Sequence, residues 1–348
     1  MKLTLLPFEL SIRHPFTISR GTTTVRSTLI VELEQQGVCG YGEATEYTYY
    51  GAGLDKTRAS LERLRPQIEA VILDDPAEFW NMMCPLFYGD RPRGSATPAT
   101  FPQCALDVAA HDLWGKLHGK PVWQLWGLSL ENNPPTDYTI GIDSIEMMVK
   151  KLREFPGFPV YKIKLGTPGD IEIVRRLREH TDAVFRIDAN GAWSAEETIR
   201  NATALKPLGV EFIEQPLAAD DWEGMKRVCR ESALPCVADE SCQVEPDVDR
   251  CAGYFHGINI KLGKCGGLTP ARRMIARARE LGLKVMVGCF TESSVGISAI
   301  AQLLPLLDYV DMDGALLLAE DIASGVTIDR GLVKYPRTAG CGARLLSR

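Results

Sequence analysis

The chain changes its hydrophobic rhythm twice. Over residues 1 to about 55, apolar and polar positions alternate, as in Leu3 to Arg13 and Ser27 to Glu34, and that period of two predicts half-buried strands. Gln36-Gly37 and Gly40-Tyr41-Gly42-Glu43 supply turn chemistry for a meander. His14 to Arg26, rich in Thr and Gly, reads as a loop by composition. From Thr57 to about Leu128 the period becomes helical. Leu61, Leu64, Ile68 and Val71-Ile72 recur at three and four, as do Ala105-Leu106, Ala109-Ala110 and Leu113-Trp114. The small residues of the second set predict close helix packing. His111 and His118 are expected as packed or surface histidines, and Pro92 to Pro102 as a connection.

A third pattern begins at Thr136. Short apolar runs stand at 136–142, 159–165, 183–187, 210–213, 236–238, 257–260, 284–287 and 309–310, with helical stretches between them. Strands alternating with helices imply parallel pairing, and eight such runs imply a closed α/β barrel.

Each run ends in polar residues, and a parallel barrel brings those ends to one rim. Lys162 and Lys164 end the second run. Their period of two points both inward, and two desolvated ammonium groups are expected to lower the pKa of at least one, making a base. Asp188, Glu214 and Asp239 end the next three runs and converge. Three carboxylates this close need a cation, and with no His or Cys among them one Mg²⁺ per site is the expected cofactor. Lys261 ends the sixth run, opposite the second in a barrel of eight. Lys164 and Lys261 therefore flank a substrate, one removing an α-proton and the other delivering one to the opposite face. Lys162 adds positive charge, and the metal would stabilise an enediolate.

Composition narrows the partners. With 45 acidic and 39 basic residues among 348, the net charge of -6 gives no reason to expect nucleic acid. No window approaches a membrane span, so no membrane is expected either. Ten cysteines are scattered without Cys-x-x-Cys spacing, which speaks for free thiols in a reducing compartment and against cysteine-bound zinc. The first nine residues lack a continuous signal core, so a cytoplasmic location is expected. Self-association as a homo-oligomer stays open.

Lys162-Ile163-Lys164, Asp188-Ala189-Asn190, Glu214-Gln215-Pro216, Asp239-Glu240-Ser241 and Asn259-Ile260-Lys261 followed by Gly266-Gly267 together resemble the muconate-lactonizing-enzyme subgroup of the enolase superfamily over nearly the whole chain. Lysine bases acting beside Mg²⁺ are the pattern of that superfamily. The resemblance implies a modified TIM barrel, (β/α)7β, with an N-terminal α+β capping domain: cap 1–120, barrel 121–325, and a C-terminal segment 326–348 returning to the cap. Asp311-Met312-Asp313 resembles the Asp-x-Asp with which dipeptide epimerases hold a substrate α-ammonium. The implied reaction is epimerisation at the C-terminal residue of a dipeptide such as L-Ala-D/L-Glu from peptidoglycan turnover. Arg20 and Arg26, in the loop that closes over the site in the family, are the expected side-chain readers; Gly21 stands about where the Ala-Glu epimerases have their arginine. Thr139 and Glu292 complete the expected substrate contacts. A cycloisomerase or o-succinylbenzoate synthase shares the same apparatus, and a Schiff-base lyase or a non-catalytic binding barrel remains as a different class.

Overall fold

The computed structural model describes residues 1–88 and 99–346; residues 92–98 of the connection and the last two of the C-terminal segment lie outside the described residues. Strands β1 (Lys2–Ile18), β2 (Gly21–Gln35) and β3 (Val38–Thr45) form an antiparallel sheet in that order. The stretch from His14 to Arg26 is therefore no loop. Phe16 pairs with Thr23, Thr17 with Thr22 and Ile18 with Gly21, after a register shift between Ser11 and Phe16. Threonines fit an extended pleat as well as valines do, and their polarity here reflects a partly exposed hairpin rather than an absence of pairing.

Helices α1 (Leu54–Glu69), α2 (Pro76–Tyr88) and α3 (Thr100–Leu117) cover one face of this sheet. α1 stops short of Val71-Ile72, and Ile72 is 80% exposed. Met1 N donates to the carbonyls of Glu69 (3.1 Å) and Val71 (3.0 Å), partnering acceptors that the helix end leaves open. The close packing expected of α3 is present. A Cβ at Gly40 or Gly42 of β3 would run into the α3 backbone at Ala109 and Ala105.

After α4 (Val122–Leu125) the barrel begins with β4 (Tyr138–Ile140), α5 (Ile145–Glu154), β5 (Val160–Lys164), α6 (Asp170–Arg178), β6 (Val184–Asp188) and α7 (Ala195–Leu205). It continues through β7 (Val210–Glu214), α8 (Trp222–Glu231), β8 (Cys236–Ala238), α9 (Glu245–Cys251) and β9 (Gly257–Lys261). Two helices, α10 (Leu262–Cys265) and α11 (Leu268–Glu280), lead to β10 (Lys284–Gly288), and α12 (Ser294–Ala301) leads to β11 (Tyr309–Asp311). The eight strands β4 to β11 lie in sequence order, all parallel, and a parallel bridge between Thr136 and Val310 joins the two ends. β11 is followed by a 3-10 turn, Gly314–Leu317, in place of an eighth α-helix, which makes the barrel (β/α)7β.

Inside, Arg186 stands two positions before Asp188 and so one layer deeper on the same face. It lies against the rings of Phe212 and Tyr309 and pairs with Asp137 (3.1 Å) and Glu211 (2.9 Å), so this buried cation is compensated. Beyond the barrel, the chain returns to α3, where Cys341 N donates to Asp112 Oδ1 (2.7 Å) and Lys116 Nζ to the Ala343 carbonyl (3.3 Å). All ten cysteines are free thiols, and among the described residues no helix is long and apolar enough to cross a membrane.

Candidate active site at the strand ends

Strand register puts the functional side chains at one level. Lys164 is aligned with Asp188, Asp188 with Glu214, and Lys261 and Asp311 both with Gly288. Asp239 follows the last residue of β8 directly. Just past two strands the backbone turns left-handed at non-glycine residues, Gln215 (φ 36°) and Asn190 (φ 46°), conformations that cost energy and concentrate at functional sites. Gln215 secures its own turn, with Oε1 accepting from the N–H groups of Asp239 and Ser241 at 3.0 Å each.

The carboxylates of Asp188, Glu214 and Asp239 are buried, and each offers an oxygen within 4.8 Å of the others. Glu214 Oε2 has the Lys162 ammonium 2.7 Å away but no hydrogen bond of proper alignment. An all-oxygen, charge-rich set with an under-satisfied member fits a hard divalent cation such as Mg²⁺. These three residues would hold it.

The lysines surround this trio. Lys164 Nζ lies 2.5 Å from Asp188 Oδ2, and Lys261 Nζ lies 2.8 Å from Asp239 Oδ2 and 5.3 Å from the Phe290 ring centre. Lys162 Nζ is 2.7 Å from Asp311 Oδ2 and 3.2 Å from Asp188 Oδ2. The expected lowering of a lysine pKa does not occur at Lys162. Burial pulls its ammonium down, but Asp311, Glu214, Asp188 and Asp137 outweigh it and hold the pKa well above the ordinary value. Spacing along the chain shows the neighbouring ammonium of Lys164 but not the carboxylates that strand register and barrel closure bring to Lys162. Burial would raise Asp188, but Lys164 and Lys162 hold it at about 2; Glu214, buried beside Asp188, is pushed up to about 7.

A cavity of about 440 Å³ opens above these groups. The barrel contributes Lys164, Lys261, Asp311, Asp313 and Thr139, and the cap contributes Arg20, Arg26 and Tyr50. Asp313 accepts from Thr139 N (2.6 Å) and Thr139 Oγ1 (3.2 Å). Burial and then the adjacent Asp311 push Asp313 up to about 8. Arg20 is already engaged: it donates to Glu240 Oε1 (2.5 Å) and the Asn190 carbonyl (2.8 Å) and stacks on Tyr49. Arg26 donates to the Glu46 carbonyl and to Thr23 Oγ1, leaving its Nε–H without a partner. Glu292 is not part of the cavity wall. Its carboxylate folds back onto Phe290 N (3.0 Å), and burial next to Glu43 pushes it up to about 8.

Two contributors had no role in the sequence reading of the site, although Asn259 stood in its Asn259-Ile260-Lys261 motif. Lys264, with no side-chain exposure, lies 2.6 Å from Asp239 Oδ1, and Asn259 donates to Glu214 Oε1 at 2.8 Å. The available signal was a lysine inside the otherwise small and apolar stretch Leu262-Gly263-Lys264-Cys265-Gly266-Gly267, where a solvated charge has no place.

Residues 2–127 match the family described as Mandelate racemase / muconate lactonizing enzyme, N-terminal domain, and residues 145–347 match Enolase C-terminal domain-like. The chain is 54% identical over 99% of its length to an L-Ala-D/L-amino acid epimerase of Flavobacterium johnsoniae, covering 100% of that protein. It is 38% identical over 98% of its length to the L-Ala-D/L-Glu epimerase of Bacteroides thetaiotaomicron, covering 87% of it. Among solved structures, a dipeptide epimerase from Cytophaga hutchinsonii complexed with Mg and the dipeptide D-Ala-L-Val superposes with a TM-score of 0.89 at 28% identity, covering 99% of this chain and 96% of that one. With both halves matched and the strand-end residues in register, the chain belongs to the mandelate racemase / muconate lactonizing enzyme family of the enolase superfamily, alongside its dipeptide epimerases.

Proposed function

We propose that this chain is a Mg²⁺-dependent dipeptide epimerase that inverts the α-carbon of the C-terminal residue by 1,1-proton transfer. The observation that carries this reading is that Lys164 and Lys261, on strands four apart in a barrel of eight, line one cavity together with Asp311 and Asp313. Mg²⁺ held by Asp188, Glu214 and Asp239 would supply positive charge to stabilise the negative charge developing on the substrate carboxylate.

The protein's own groups divide the remaining work. Lys164 takes the α-proton from one face, and Lys261 returns a proton to the other; reversing the roles runs the reaction backward. Lys162, held charged by its carboxylates, adds a fixed positive potential beneath the substrate. Asp311 and Asp313 receive the dipeptide's α-ammonium, with Thr139 holding Asp313 in place. The cap, 1–120, reads the substrate side chain, the barrel, 121–325, carries the chemistry, and the segment 326–348 fastens the two. L-Ala-D/L-Glu released in peptidoglycan turnover, processed in the cytoplasm, is the proposed physiological setting; the name of the Bacteroides relative supports the substrate. Arg26, which lines the cavity and has a carbonyl and a hydroxyl rather than a carboxylate as hydrogen-bond partners, suits a side-chain carboxylate better than Arg20, already paired with Glu240.

The test is a dipeptide library incubated with the enzyme and Mg²⁺ in D₂O. Deuterium should enter the α-carbon of the C-terminal residue without any other change of constitution. Exchange on none of the dipeptides would refute the proposal, and a loss of water or a ring closure would indicate a synthase or cycloisomerase instead.

A further inference from the structure

Each carboxylate of the acid trio turns one oxygen toward the lysines and has the other gripped from behind. The inward oxygens are Asp188 Oδ2, Glu214 Oε2 and Asp239 Oδ2, which face Lys164 (2.5 Å), Lys162 (2.7 Å) and Lys261 (2.8 Å). The outward oxygens meet a separate set of donors. Asp188 Oδ1 accepts from the Asn190 backbone N–H (2.9 Å), Glu214 Oε1 from Asn259 Nδ2 (2.8 Å) and Asp239 Oδ1 from Lys264 Nζ (2.6 Å).

Lys264 has a place in this arrangement that no solvated lysine could fill. Besides Asp239 Oδ1, its ammonium meets the carbonyls of Asp239 (2.5 Å), Cys242 (2.8 Å) and Asn259 (3.1 Å). Those carbonyls belong to the residue that follows β8, the turn after it, and β9. One fully buried cation thus fixes the rotamer of Asp239 and the backbone that carries it. The cost of burying a charge is offset only where such partners are complete, as they are here.

We propose that Lys264 and Asn259 are positioning residues for the divalent cation: they lock Asp239 and Glu214 so that the inward oxygens converge at the spacing a small ion requires. Lys264 also cancels one of the three carboxylate charges. The inference rests on reading the trio as the cation site. Outer-shell groups that orient ligands typically contribute about 10- to 100-fold in metal affinity. Mg²⁺ tolerates little departure from octahedral geometry, whereas Ca²⁺ accepts irregular and variable coordination. Loosened carboxylates therefore lose Mg²⁺ selectively, while the charge removed at Lys264 makes any divalent ion more welcome.

The experiment is calorimetric titration of the full chain with Mg²⁺ and, separately, Ca²⁺, for wild type, Lys264→Met and Asn259→Leu, with the fold of each checked by circular dichroism. The ratio of Mg²⁺ to Ca²⁺ affinity should fall about tenfold or more in each variant, with Ca²⁺ affinity nearly unchanged in Asn259→Leu and unchanged or higher in Lys264→Met, and methylammonium should restore the ratio in Lys264→Ala. A merely structural role would lower the melting temperature and shift both ions together. An unchanged Mg²⁺-to-Ca²⁺ ratio in the folded variants overturns the proposal, and where Lys264→Met does not fold, the ratio in Asn259→Leu decides. Wild type that binds neither ion removes the cation reading itself along with this one, whereas wild type that binds Mg²⁺ beside variants of unchanged selectivity removes only the positioning.

Discussion

Lys162 Nζ lies 2.7 Å from Asp311 Oδ2, joining β5 to β11 past the intervening β4. The same ammonium is 2.7 Å from Glu214 Oε2, so the wall proposed to receive the amine and the acid trio share one cation. Asp311 is thereby kept ionised: burial would raise its pKa, but Lys162 and Lys164 hold it below the usual range. A permanent anion on that wall is what a substrate ammonium needs.

Asp311→Asn should raise KM for dipeptides about 10- to 100-fold, the range for losing a charge-assisted hydrogen bond, while Mg²⁺ affinity measured by calorimetry stays close to wild type. An unchanged KM for every dipeptide would refute the assigned role.

The pH profile of kcat/KM should report Asp313. Its carboxyl, pushed up to about 8, is protonated in the free protein at neutral pH and ionises as pH rises, improving amine recognition. Activity is therefore expected to climb toward pH ~8 and to fall beyond it as the dipeptide's own amine loses its proton, since α-amino groups titrate near 8. Asp313→Asn should abolish the acidic limb; a limb that survives the substitution assigns it elsewhere. The sign for stability is opposite. A carboxyl whose folded pKa is raised contributes fully below its unfolded pKa of about 4, and the contribution is lost as pH rises through about 8.

Arg20 and Arg26 should fail in different ways. Arg20→Met leaves buried Glu240 without its cation and should cost about 2 kcal/mol in denaturant unfolding, less than a fully buried pair because Arg20 is partly exposed. Arg26→Met should spare stability and reduce kcat/KM for acidic dipeptides about tenfold or more relative to neutral ones. Equal losses for both substrate classes would rule Arg26 out as the side-chain reader.

Chelation with EDTA should abolish exchange, and Mg²⁺ should restore it. Because only the folded trio offers three converging oxygens, Mg²⁺ at 100 times its Kd should add about 2.7 kcal/mol to unfolding stability, readable as a rise in Tm. Glu214→Gln should erase most of that rise. Full activity after exhaustive chelation would contradict the metal assignment.

The barrel was legible because a parallel sheet buried on both faces writes its strands as apolar runs and leaves its chemistry at their ends. Each run from Thr136 onward recurs as a strand with ends shifted by at most a few residues. The trio and the lysines could be placed from spacing alone, since register follows from sequence order in such a barrel. Three features were not legible. The His14 to Arg26 hairpin is composed like a loop but pairs because it extends an existing ladder. The protonation of Lys162 depends on Asp311, distant in sequence and brought close only by closure of the barrel. The engagement of Arg20 depends on Glu240, whose rotamer no periodicity encodes.

The acid trio comes from the ends of three consecutive strands, but the cations that balance it come from β5 on one side and from β9 and α10 on the other. Two contacts tie the halves of the barrel together: Lys162 on β5 reaches Asp311 on β11, and Asn259 on β9 donates to Glu214 on β7. A chain in which only β4 to β7 had formed would leave Lys162 without Asp311 and Glu214 Oε1 without its donor, so such species are disfavoured and the barrel should fold and unfold as one cooperative unit, with loss of the cation site coinciding with loss of the whole.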